Sequence, residues 1–230
     1  MMHALRAVAR RLGRALLHTV GDEYYPPLET LPDVPDLFHI YRVYASSPAL
    51  TRRPGGWEYE GRVYPDMLTV GGASLMTQRE ALRHCIGHGV DIGAGLWPLP
   101  GATPVDVWRG PGAGRRIEDV PAASLDYVFS SHCLEHIADW AAALSTWVSL
   151  VRPGGVIFLY LPHPDCGLWR PGSPMVGDEH RWQPEPSVIK RALAERGCDV
   201  VAADDGPDAM MSFFVCARRV ADAPPGRTTS

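Results

Sequence analysis

The sequence predicts an α/β protein: a Rossmann-like, mostly parallel sheet with an antiparallel last strand, shortened early crossovers and an N-terminal helical and irregular extension. Three observations lead there. From about residue 75 onward, short apolar runs bounded by glycine or proline alternate with segments of helical period. One run, Val156 to Leu161, is apolar throughout, as a strand buried on both faces requires. The last two runs, Cys198–Ala203 and Met210–Ala217, are joined by Asp204-Asp205-Gly206-Pro207, a turn-rich link that makes a hairpin and hence one antiparallel strand.

Composition bounds the alternatives. A chain of 230 residues, 46% hydrophobic and 21% charged, holds enough apolar side chain for one domain and an extension. A net charge of −4 removes the basic footprint of general nucleic-acid binding, so no nucleic-acid partner is expected. No run approaches the 18 or so apolar residues of a membrane span. The five cysteines are scattered, odd in number and free of Cys-x-x-Cys pairs, which reads as thiols in a reducing, cytoplasmic compartment.

Along the chain, residues 1–74 read as an extension, 75–220 as the main domain and 221–230 as a polar, disordered tail. Residues 1–20 carry Arg6, Arg10, Arg11 and Arg14 with Leu5, Val8, Leu12 and Leu16 at helical spacing. Such a basic amphipathic helix can lie on a membrane surface, serve as a transit segment or pack on its own domain. Residues 22–70 interleave prolines with aromatics such as Trp57, Tyr59 and Tyr64, too many for a linker, and are expected to form a packed lid.

A helix near 75–85 leads into the strand Gly89–Ile92, which ends at Gly93-Ala94-Gly95. Pro104–Trp108 and Leu125–Ser130 are two further strands. Apolar residues at 134, 137, 141, 144, 148 and 151 then mark a helix stopped by Arg152-Pro153-Gly154-Gly155. After the buried strand and a Pro-rich loop, residues 187–196 make a helix closed by Gly197.

In an open parallel sheet ligands bind beyond the carboxyl ends of the strands, so the residues that follow each strand carry the chemistry. Gly93 and Gly95 let backbone approach a ligand closely, and Asp106 can accept hydrogen bonds from both hydroxyls of a ribose. The dinucleotide fingerprint needs a further glycine where Pro98 stands, which disfavours NAD. His163 with Asp165, directly after the buried strand, is a candidate base for a protonated acceptor, and His180 is a second catalytic candidate.

With these residues the sequence resembles the class I S-adenosylmethionine-dependent methyltransferases, in particular the small-molecule branch known as type 11. The resemblance spans about residues 85–217. Val90-Asp91-Ile92-Gly93-Ala94-Gly95 is similar to that family's first motif, Pro104-Val105-Asp106 to its acidic second-strand motif, Asp126 to Ile137 to its fourth-strand motif, and Leu150 to Gly155 to the approach to strand five. It implies S-adenosyl-L-methionine as cofactor, with Gly93, Ala94 and Gly95 along the methionine and ribose, Asp91 at the methionine amino end and Asp106 on the ribose hydroxyls. It further implies Ser131 and His132 beside the sulfonium. Glu118 or Asp119 can either reach the adenine amine or remain solvated acids of the loop. Two departures stand out. The family's third glycine falls at Trp97, and Gly95 to Pro104 is too short for a crossover helix, which needs at least about 10–12 residues. Residues 109–124 likewise leave little room for a helix and a third strand, so this edge is expected to be trimmed and covered by residues 22–70 or by a second subunit of a homodimer.

His132-Cys133-Leu134-Glu135-His136 has the His-x-x-Glu-His spacing of inverted zinc peptidases. That chemistry puts both histidines on one helical face, whereas His132 here directly follows a strand, so no metal is assigned and His136 is expected to brace the helix or the sheet. The function expected is methyl transfer to oxygen or nitrogen of a small molecule or glycan; the alternative is a binding or scaffold protein of the same fold without transfer.

Overall fold

In the computed structural model, the described residues are 47–54, 56–65, 68, 72–107 and 110–220. The basic helix of residues 1–20, residues 21–46 and the C-terminal tail lie outside them. Three short antiparallel strands, β1 (Thr51–Arg53), β2 (Gly56–Tyr59) and β3 (Arg62–Pro65), form a small sheet in that order. The main domain follows with α1 (Ala73–His84), β4 (Gly89–Ile92), β5 (Thr103–Val105), β6 (Leu125–Ser131), α2 (Trp140–Leu150), β7 (Val151–Pro162), α3 (Pro186–Ala194), β8 (Cys198–Asp204) and β9 (Ser212–Arg219). Its six strands run in the order β5-β4-β6-β7-β9-β8. The first four are mutually parallel, and β9 pairs antiparallel with both β7 and β8. Among the described residues no helix is long and apolar enough to cross a membrane.

The alternation of side chains across the central strands divides the interior into two layers. Ile157, Leu159 and Leu161 of β7 face one side with Phe213, Val215 and Ala217 of β9, under Leu144, Trp147 and Val148 of α2 and Ile189 and Leu193 of α3. Phe158 and Tyr160 face the other side with Tyr127, Phe129 and Cys216, under Ala81 of α1 and Trp57 and Tyr64 of the small sheet. Both faces of β7 are therefore covered, which is why its sequence is apolar without a break. β8 is the outer edge and is exposed along most of its length, with a register shift between Val200 and Ala202.

The helix read from the spacing at 134–151 is shorter than expected. Leu134–His136 forms a 3-10 turn, and the α-helix begins only at Trp140, where the Asp139 carboxylate accepts the Ala142 N–H at 3.0 Å. The helix does end at Leu150, but the chain enters the sheet at once: β7 starts at Val151, opposite Leu125, and Arg152–Gly155 sits in an irregularity of the ladder. The second strand is shorter too, ending at Val105.

The early crossovers are reduced as expected. The chain passes from β4 to β5 through turns alone, and between β5 and β6 the described residues hold one 3-10 turn, Ile117–Asp119. In place of the helix, the loop after β5 folds back so closely that a Cβ on Gly110 would lie 1.6 Å from the Gly95 carbonyl oxygen. The expected covering of this edge by residues 22–70 needs correction for the part described. The small sheet docks over the loop that follows β7: Gly167 donates its N–H to the Tyr64 hydroxyl at 3.0 Å, and Arg62 donates to the Asp165 carbonyl at 3.0 Å. Its apolar aromatics bury against that loop because β6, β7 and β9 present a second apolar face there.

Candidate functional site

The carboxyl ends of β4, β5, β6 and β7 lie on one side of the sheet, and the amino end of the antiparallel β9 joins them there. The turn after β4 is drawn toward β5 by Gly93 and Ala94, whose N–H groups donate to the Val105 carbonyl at 2.9 and 3.4 Å. Gly93 has φ 74°, and a Cβ on it would come within 2.5 Å of the Cys133 thiol, so only glycine fits this crossing. Asp106, just past β5, accepts the Gly95 N–H on Oδ2 at 3.0 Å, which fixes its carboxylate against the glycine turn.

Asp91 is 1% exposed in the middle of β4. Its Oδ2 accepts the Leu99 N–H at 2.7 Å, while Oδ1 is buried with no hydrogen-bond partner among the described residues. Burial pushes this carboxyl up to about 7, and the nearby Asp106 adds to the rise. A buried carboxylate oxygen with no donor is costly by itself and suits a cationic or hydrogen-bond-donating ligand. Ser131 Oγ, at the end of β6, is also buried without a partner. These orphaned atoms, together with the glycine turn, fit the amino and ribose ends of S-adenosylmethionine.

A second constellation lies directly after β6. His132 is a non-glycine residue at φ 47°, the left-handed region, a conformation that costs of order 1–3 kcal/mol and persists where the surroundings impose it. Its Nε2–H donates to the Ser212 hydroxyl at 2.9 Å, and that hydroxyl in turn donates to the Met210 carbonyl. Glu135 follows, completely buried, with neither carboxylate oxygen hydrogen-bonded within the described residues. Around its Oε1 stand His132 Nδ1 at 3.6 Å, His136 Nε2 at 3.9 Å and His180 Nε2 at 3.9 Å. Burial pushes Glu135 up to about 8 and drives His132 down to about 3 and His180 down to about 4, neighbouring imidazoles adding to the histidine shifts.

The loop that carries His180 is stitched to the 3-10 turn in register. Arg181 N–H donates to the Glu135 carbonyl at 2.8 Å, Trp182 Nε1–H to the Leu134 carbonyl at 3.0 Å, and His136 Nδ1–H to the Glu179 carbonyl at 3.1 Å. Trp182 also stacks on Trp140, ring centroids 4.3 Å apart. Cys133 separates the two constellations: half-buried, its thiol pushed up to about 12 chiefly by desolvation, it feels Glu135 on one side and Asp106 and Asp91 on the other.

Asp91, Gly93, Ala94, Gly95 and Asp106 are thus brought together as the sequence led us to expect, and Ser131 and His132 follow at the next strand end. Other candidates fall differently. Glu118 is an exposed residue of the 3-10 turn, 3.4 Å from Arg116. His163 and Asp165 stand together without a hydrogen bond between their side chains. The Asp165 N–H occupies His163 Nδ1 at 3.1 Å, and the carboxylate stands 3.7 Å away and is 63% exposed. A turn immediately after Pro162 brings the Asp165 amide to the ring before its carboxylate can reach it. His180 lies in the cluster around Glu135, its Nδ1–H donating to the Trp169 carbonyl at 2.7 Å. The sequence gives Glu135 no role of its own and His136 only that of a brace for the helix or the sheet, because His132 precedes any helix. That is correct of the helix, yet the 3-10 turn and the 179–182 loop converge the side chains by another route. A glutamate in an otherwise apolar stretch was the signal that could have found them.

A strand-end glycine turn flanked by two aspartates, on a sheet of this order, defines an open α/β fold with a nucleoside-type ligand site. The family model described as a methyltransferase domain matches residues 74–203. The chain belongs to this family, and is a class I S-adenosylmethionine-dependent methyltransferase by descent. Among solved structures it is similar to the Burkholderia thailandensis 1,6-didemethyltoxoflavin-N1-methyltransferase with bound 1,6-didemethyltoxoflavin and S-adenosylhomocysteine, at 18% identity and TM-score 0.50 over 68% of this chain and 82% of that one. It is also similar to an S-adenosylmethionine-dependent methyltransferase from Mesorhizobium loti, at 19% identity and TM-score 0.47 over 65% of this chain and 99% of that one. No curated protein matches the chain.

Proposed function

We propose that the protein transfers the methyl group of S-adenosyl-L-methionine to an oxygen or nitrogen atom of a small molecule or glycan. The observation that carries the reading is the pair of aspartates around the glycine turn: Asp91, buried with one orphaned oxygen, and Asp106, anchored through Gly95. Asp91 would hold the ammonium of the methionine end and Asp106 the ribose hydroxyls, while Gly93–Gly95 leave room for the backbone to approach. The cofactor supplies an activated methyl on a sulfonium; the protein's part is to align the acceptor in line with it and keep water out. With His163 Nδ1 already accepting a hydrogen bond, alignment carries more of the catalysis than proton removal by that residue. The similar structure with bound 1,6-didemethyltoxoflavin supports a small-molecule acceptor, and the five free thiols support a reducing, cytoplasmic setting.

A thermal melt with S-adenosylhomocysteine tests the site. At about 100 times its dissociation constant the ligand should add roughly 2.7 kcal/mol, a rise of about 5–10 °C in Tm for a chain of this size. Asp106→Ala should weaken binding by about 1–3 kcal/mol, the usual loss for hydrogen bonds to a charged group. A folded protein whose melting point ignores the ligand would favour the scaffold alternative.

A further inference from the structure

The constellation after β6 is not needed to hold the methionine or ribose of a cofactor, and its composition is that of a metal site. Glu135, His136 and His180 bring one ligand atom each within 4.8 Å of one another, and Glu135 Oε1 stands 3.9 Å from Nε2 of both histidines. None of the imidazole nitrogens facing Glu135 is close enough to hydrogen-bond it; they stand off at 3.6–3.9 Å. Ligands about 2.0–2.1 Å from a tetrahedral ion are separated by roughly 3.4 Å, so a small contraction closes the set around a cation. Without one, a fully buried carboxylate keeps two oxygens unsatisfied, an arrangement folded proteins rarely tolerate without a reason.

The outer contacts point the same way. His136 and His180 each donate Nδ1–H to a backbone carbonyl, of Glu179 and Trp169, which leaves Nε2 of the neutral ring as the atom with a lone pair toward Glu135. Histidines that bind metals are oriented by such bonds from the opposite nitrogen. His132 is set in the same sense, Nε2–H on Ser212 and Nδ1 toward Glu135.

We propose that Glu135, His136 and His180 bind a divalent transition-metal ion through Oε1 and two Nε2 atoms, with His132 beside an open coordination position. Two imidazoles and one carboxylate favour zinc, iron, cobalt or manganese over magnesium or calcium, which prefer all-oxygen shells. Three protein ligands rather than four leave a position for water or for an acceptor oxygen, the second of these resting on the methyltransferase reading. His136, its side chain 41% exposed, is the side from which ion and ligand enter.

The test uses the full chain, stripped with chelator and titrated with Co2+, read by visible absorption and by metal analysis after dialysis. One equivalent retained, with d–d bands of a nitrogen and oxygen environment, is expected. His136→Ala, on the exposed side, and Glu135→Gln should each weaken retention by more than about 100-fold, since even outer-shell changes cost 10–100-fold. Loss of the equivalent in His136→Ala, with its Tm within a few degrees of the parent protein, guards against a folding artefact. No retained cobalt, retention unchanged in both variants, or a thiolate charge-transfer band that assigns the ion to a cysteine would each overturn the proposal. Stabilisation by S-adenosylhomocysteine is read separately. Ligand stabilisation without metal rejects this site alone, and metal without ligand stabilisation rejects the methyltransferase reading alone.

Discussion

Asp91 sets how ligand binding responds to pH. Its carboxyl is raised to about 7 by burial with help from Asp106, and an ammonium-bearing ligand pairs only with the ionised form. Affinity for S-adenosylhomocysteine should therefore fall as pH drops through 7, about tenfold weaker at pH 6 than at pH 8 by calorimetric titration. The unliganded fold responds in the opposite direction. A carboxyl whose folded value is raised contributes stability below its ordinary range, and that contribution is lost as pH rises through about 7. At His163 the occupied Nδ1 leads to a second expectation: His163→Ala should change kcat by less than about 10-fold, against the 10²–10⁴ expected of a general base. The aspartates were legible in the sequence because strand ends and glycines announce them. The state of the His163 ring was not, since it depends on which atom of a neighbour two residues away reaches the nitrogen first.

At the scale of elements, the 3-10 turn Leu134–His136 and the loop 179–182 act as one unit held by three hydrogen bonds and a tryptophan stack. Trp182→Phe keeps a ring on Trp140 but removes the donor to the Leu134 carbonyl, and should cost about 1 kcal/mol in denaturant unfolding. Periodicity at 134–151 suggested one helix because apolar residues keep the same spacing through the turn. What breaks it is tertiary: carbonyls of Leu134 and Glu135 are taken by a loop more than 40 residues on, and Asp139 restarts the helix as a cap. The strands were easier, since an apolar run between glycine and proline needs no distant partner to be recognised.

For the molecule as a whole, the small sheet is part of the main interior. Trp57 and Tyr64 bury against Phe158, Tyr160, Leu168 and Trp169 in one apolar cluster. Trp57→Ala should cost about 3–5 kcal/mol and lower a single melting transition, with no separate early transition for the β1–β3 region in calorimetry. The trimmed sheet was foreseeable from spacing alone, because a parallel crossover has a minimum length; the side on which residues 51–65 dock was not, because aromatic content says that a segment packs without saying where. The trimming also bears on self-association. A sheet of this order ends on β5, three residues long and bridged from outside at Asp106 by Ala113, and on β8, whose ladder is broken by a register shift and flanked by Asp199 and Asp204. One rim is too short to template another strand and the other is bent and negatively charged, so the chain resists growing into fibres through its edges.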